Sequence, residues 1–199
     1  AQIDLDRIFK NDPDFAPAIA TQSLLYNATN EFVKALEIVK KAKQQWPNSW
    51  IPFNLAAEAY EGLNRGDEAE AAYIETIKRS PTWWLSYAEI SAFHIKRNRS
   101  DLAEQAFHKG LNKFPDNVYL LTHYADLLLS LNRKEQAFNY LSKAHKVDPN
   151  NIKIWITVLG IEEYKNDPLV LAIKKLALEK IKATHADPDI NNLKALLKE

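Results

Sequence analysis

Apolar side chains recur along this chain in steps of three and four residues. Phe53, Ala56, Ala57 and Tyr60 share one helical face, and Tyr124, Leu127, Leu128 and Leu131 share another. That 3.6-residue period predicts amphipathic helices, and the two-residue alternation of strands is missing. A longer period punctuates the helices. Pro13, Pro47, Pro81, Pro115 and Pro149 lie 34 residues apart, as do Asn30, Asn64, Asn98, Asn132 and Asn166. Ala1, Ala35, Ala69, Ala103 and Ala137 keep the same step. Proline cannot continue a helix, so it marks the boundary between repeats. Asparagine tolerates the left-handed backbone that closes a helix, so it marks the turn inside each repeat. Alanine falls early in the second helix, where a small side chain lets two helices approach.

The frame divides the chain into units. Residues 16–49, 50–83, 84–117 and 118–151 form four full repeats. Residues 1–15 match only a second helix, read as the remainder of a truncated preceding repeat, with a lone capping helix as the alternative. Residues 152–186 form a degenerate fifth repeat. Its first helix is expected over 152–165, and Asn166, Asp167 and Pro168 supply a turn, an N-cap and a first helical residue. Leu171 and Lys175 then occupy the alanine and aromatic positions. Residues 187–199 are expected to be a capping or frayed helix.

A 34-residue helical repeat patterned W-x2-L-G-x2-Y…A-x3-F…P is the tetratricopeptide (TPR) signature, and this chain resembles it. The second repeat places Phe53, Ala56, Ala57, Tyr60, Ala69, Tyr73, Thr76 and Pro81 at the signature positions. The third places Tyr87, Ile90, Ser91, His94, Ala103, Phe107, Gly110 and Pro115 there. The resemblance implies an all-α fold: an α-α superhelix, a right-handed solenoid of 34-residue helix–turn–helix repeats. It also implies a scaffold that binds a peptide or partner domain on a concave wall built by the first helices. Carried over position by position, that wall includes Asn54 and Glu58 in the second repeat, and Leu85, Glu89 and Ala92 in the third. The fourth contributes Tyr119, Thr122, His123 and Asp126. The wall is apolar around Leu85, Ala88, Ala92 and Ile95. Glu58, Glu61, Glu89 and Asp126 edge it with negative charge, against Lys96 and Lys153. The expected ligand is a protein or peptide with apolar anchors and some basic character, weighed against an ordinary solvated surface. The family's clamp for chaperone tails, built from Lys, Asn and Arg, meets Ala20, Leu24, Leu55, Leu85 and Glu89 here, so such tails are not expected.

Composition narrows the picture further. Twenty-six Lys plus Arg balance 26 Asp plus Glu, so the formal net charge is zero. Nucleic-acid binding draws most of its affinity from basic excess, so no nucleic-acid partner is expected. No apolar run reaches the roughly 20 residues of a transmembrane segment. The chain has no cysteine, hence no disulfide, thiolate metal site or thiol nucleophile, and location stays undecided between cytoplasm and an exported compartment. Of five histidines, no two share a helix face at three- or four-residue spacing. No catalytic site, cofactor or metal is expected. Asp67–Glu68 falls in a helix's first turn, where negative charge suits the dipole. Trp83–Trp84 is a candidate aromatic edge for a partner. Self-association, or attachment to an enzymatic, secretion or regulatory domain outside these residues, is the alternative function.

Overall fold

A computed structural model of the protein describes residues 5, 8, 11–12, 15–183 and 188–197. Among them the regular structure is helical throughout: α1 (Ala16–Ala28), α2 (Phe32–Gln45), α3 (Ile51–Gly62), α4 (Gly66–Arg79), α5 (Leu85–Lys96), α6 (Ser100–Lys113), α7 (Val118–Ser130), α8 (Lys134–Val147), α9 (Ile152–Leu159), α10 (Pro168–Ala183) and α11 (Pro188–Leu197), with a 3-10 turn at Glu162–Tyr164. Of the helix expected over 1–15, residues 5, 8 and 11 are helical and Leu5 is buried. Residues 1–4, 6–7, 9–10 and 13–14 of that segment, Ala1 and Pro13 among them, lie outside the described residues, as does Asp187.

Each of the four full repeats is a pair of helices joined through one left-handed residue. Asn30, Asn64, Asn98 and Asn132 have φ of 61°, 57°, 56° and 58°. At Asn64 the closure is a double one. Arg65 N–H donates to the Tyr60 carbonyl at 2.8 Å and Asn64 N–H to Glu61 at 3.0 Å. The same two bonds recur around Asn30, Asn98 and Asn132. This geometry satisfies the carbonyls left over at a helix end. Pro47, Pro81, Pro115 and Pro149 stand in the turns between repeats. Carbonyls of two of them accept aromatic side-chain donors: the Tyr87 hydroxyl donates to Pro81 at 3.2 Å and the Trp155 indole to Pro149 at 2.9 Å.

Two compact units divide at Lys109–Gly110. In the first, α1 packs on α2 and α3, α2 on α3, α3 on α4, and α4 on α5. Its core gathers Val39, Leu55, Ala56, Ala57, Tyr73, Ile90 and Phe93. Ala35, Ala69 and Ala103 are fully buried, as close helix approach requires.

In the second unit α7 packs on α8, and α8 on α9. Ala137 is again fully buried. The first helix of the fifth repeat is shorter than the sequence pattern implies. It stops at Leu159, and Gly160 and Ile161 lead into the 3-10 turn. Two contacts hold that turn. Ile161 is 4% exposed, and Tyr164 stacks on Phe138 with ring centroids 4.2 Å apart. Asn166 accordingly lacks the left-handed φ of its four counterparts. Asp167 caps α10 by accepting from Leu169 N–H at 2.8 Å. The last helix, α11, packs on both α9 and α10 and buries Ile190 and Leu193.

Candidate functional site: the first-helix face

Within the first unit, polar side chains link the first helices of successive repeats. Asn27 on α1 donates to Glu58 on α3 at 3.1 Å and to the Leu55 carbonyl at 3.3 Å. Lys96 on α5 reaches Glu61 on α3 at 2.6 Å. Glu61 also accepts the Tyr73 hydroxyl of α4 at 3.1 Å. Asn54, one turn before Glu58, hydrogen-bonds Glu89 of α5. An open pocket of about 660 Å³ lies here, lined by Leu24, Asn27, Phe32, Glu58, Glu61, Tyr73 and Lys96. Gly62 makes room for the Phe32 ring, which would come within 2.3 Å of a Cβ at that position.

The carboxylates on this face differ sharply. Lys96 stands against Glu61 and compensates its charge. Glu58 and Glu89 have only amide donors, Asn27 and Asn54, among the described residues. Burial pushes the Glu58 carboxyl up, and the Asn27 hydrogen bond pulls against it. Burial, reinforced by the nearby Glu58 charge, pushes Glu89 up to about 7. Tyr73 is raised by burial and by the Glu61 charge it donates to. Desolvation without a paired cation is the common cause.

The expected wall residues are placed unevenly. Asn54 is buried, at 6% exposure. Glu58, Glu89 and Leu85 are half-buried and Ala92 is exposed. In the second unit Tyr119 is exposed and sets its ring 4.0 Å from His123. His123 Nδ1 lies 3.7 Å from Asp126. Burial and then Lys153 lower the His123 pKa, against the pull of Asp126. Thr122 is buried, and its hydroxyl bonds back to the Val118 carbonyl at 2.9 Å. The repeat pattern places Tyr73 at a signature position and does not assign it to this face. The available signal was a tyrosine at the signature's phenylalanine position, which adds a hydroxyl facing Glu61.

Elsewhere, Trp83 is half-buried with its ring 3.8 Å from that of Trp50, and Trp84 is also half-buried. His94 is buried, with Nε2 3.9 Å from Glu70 and Nδ1 without a hydrogen bond. Among the described residues no group of three or more His, Asp or Glu stands placed to hold a metal. No described helix is long and apolar enough to cross a membrane.

No family model matches the chain. Over 119 residues, 60% of its length, it is 26% identical to cellulose synthase operon protein C of Pseudomonas fluorescens (strain SBW25), and the match spans 9% of that protein. Among solved structures it is similar to PilF of Pseudomonas aeruginosa, with TM-score 0.67 and 16% identity over 98% of this chain and 87% of that one. It is also similar to MamA 41-end of Desulfovibrio magneticus RS-1, with TM-score 0.64 and 16% identity over 87% and 98% of the two chains. YrrB, described as a TPR protein with an unusual peptide-binding site, aligns at TM-score 0.61 and 14% identity over 98% of each chain. The fold is that of the tetratricopeptide repeat.

Proposed function

We propose that this tetratricopeptide-repeat chain is a protein-interaction scaffold that holds a peptide or partner domain against its first helices and performs no chemistry of its own. The observation that carries this reading is the polar face in the first unit, where Asn27, Asn54, Glu58 and Glu89 sit half-buried or buried with compensation from amides alone. A purely structural surface would leave such carboxylates solvated or paired with cations. The similarity to YrrB, with its peptide-binding site, lends the reading support at the level of fold. Fold alone does not specify a ligand.

The partner carries apolar anchors and some basic character. Leu24, Tyr119 and Ile95 are exposed apolar side chains on first helices, available to anchors. Glu58, Glu89 and Asp126 favour positive charge. Glu89 would repel a terminal carboxylate, and no clamp for one is present at the matching positions.

A peptide array screened with the chain and with a Glu89→Lys, Asp126→Lys double variant tests this. The expected result is a bound set rich in Lys, Arg and large apolar residues, which the double variant loses. A bound set without basic bias, or one the double variant retains, contradicts the assignment.

A further inference from the structure

Three buried oxygen atoms in one connected cluster lack hydrogen bonds: Asn27 Oδ1, Asn54 Oδ1 and Glu89 Oε2. They belong together because Asn27 bonds Glu58, Glu58 acts electrostatically on Glu89, and Asn54 bonds Glu89. Asn54 is 94% buried by its 6% exposure, so water does not reach it freely. Both amide orientations are set by what their nitrogens do. Asn27 Nδ2 donates to Glu58 and to the Leu55 carbonyl, and Asn54 donates to Glu89, whose ionised form that bond favours. With Glu89 ionised, the form a bound cation favours, the unused atoms are all acceptors. An unsatisfied buried acceptor is costly, and native structures leave few of them.

Acceptors alone call for a ligand that only donates. Two of the four side chains are carboxylates with no cation beside them among the described residues, so the ligand carries positive charge. Neutral amide oxygens and carboxylates spread over three helices, α1, α3 and α5, suit a flat group with several N–H bonds rather than a point charge. Guanidinium supplies five donors in a fixed fork, while an ammonium supplies three on one atom and keeps more of its hydration.

Resting on the scaffold reading above, we infer that Asn27, Asn54, Glu58 and Glu89 form a subsite for one arginine side chain of the bound peptide. The guanidinium lies between Glu58 and Glu89, donating to both carboxylates and to the amide oxygens. Lys96 is occupied with Glu61 and leaves this position open. The subsite gives the partner's basic character a location. It also sets arginine above lysine, since a planar fork meets divergent acceptors that a single ammonium cannot reach together.

The test uses N-acetyl-arginine amide, N-acetyl-lysine amide and N-acetyl-citrulline amide, titrated into the whole chain and followed by the NMR signals of the Asn27 and Asn54 side-chain amides. The inference expects saturable shifts with the arginine compound, at least about threefold weaker binding of the lysine compound, and none of citrulline, which lacks the charge. Glu89→Gln and Glu58→Gln should each weaken the arginine compound about tenfold, while the backbone spectrum of each variant stays folded. Equal binding of lysine and arginine, or shifts unchanged in both variants, overturns the subsite. No saturable shift with any compound also overturns it and assigns the acceptors to water. The peptide array separates this failure from failure of the scaffold reading: peptides captured without an arginine requirement leave the scaffold standing.

Discussion

Lys96 on α5 contacts Glu61 on α3 at 2.6 Å across 35 residues of chain, and the same carboxylate accepts the buried Tyr73 hydroxyl at 3.1 Å. The two partners of Glu61 are unequal. The Lys96 side chain is 66% exposed, so its ion pair adds little in water. Tyr73 is 4% exposed, and losing its acceptor strands a hydroxyl in the core. Lys96→Ala should therefore cost under about 1 kcal/mol, and Glu61→Ala about 1–3 kcal/mol. Urea unfolding of the two variants checks the order; a larger loss for Lys96→Ala would contradict it.

Helix closure at asparagine makes a separate prediction. Asn64 sits at φ 57°, where a Cβ is penalised unless the residue is glycine or a short polar side chain. Asn64→Ala should lose about 1 kcal/mol, and Asn64→Gly should be close to neutral. Thermal unfolding of both decides it. An alanine variant as stable as the glycine variant would mean the turn relaxes out of the left-handed region.

Helix spacing is tested at Ala103, which has no exposed surface and whose carbonyl lies 3.4 Å from the Ser91 hydroxyl of the facing helix. Ala103→Leu should overpack this contact and cost about 1–3 kcal/mol, read as a lower denaturant midpoint. An unchanged midpoint would contradict the close approach.

The pH dependence follows from Glu89. Its folded pKa is raised from 4.5 to about 7, so the folded state holds this proton more tightly than the unfolded chain does. The resulting stabilisation is fully present below about pH 4.5 and is lost as pH rises through about 7, amounting to roughly 1–2 kcal/mol for a partly solvated group. Glu89→Gln should remove this component, which a comparison of urea midpoints at pH 5 and pH 8 reveals. Binding of a cationic peptide should run the opposite way and strengthen over the same interval, because it needs the ionised form. An identical pH profile in wild type and variant would contradict both.

Much of the fold was legible because it repeats. The 34-residue recurrence of Pro, Asn and Ala located the turns and the tight helix contacts, and φ at Asn30, Asn64, Asn98 and Asn132 follows from it directly. The degenerate fifth repeat was legible in outline, but the early end of its first helix at Leu159 was not, because long-range packing accompanies it: Tyr164 stacks on Phe138, which no local pattern around 152–165 reveals. The docking of α11 through Ile190 and Leu193 was undetermined for the same reason. On the candidate face, residue position could mark Glu58, Glu61 and Glu89 as acidic alike. Their difference arises from partners one repeat away, Lys96 for Glu61 and Asn27 for Glu58. Spacing within a single repeat carries no trace of either.

The central claim is that partners lie on the first helices. The most direct measurement is hydrogen exchange of the chain with and without a peptide selected from the array. Protection concentrated in α1, α3 and α5, with α2 and α4 unchanged, is the predicted result. Protection confined to α2 and α4, or none in any of these helices at saturating peptide, would contradict it.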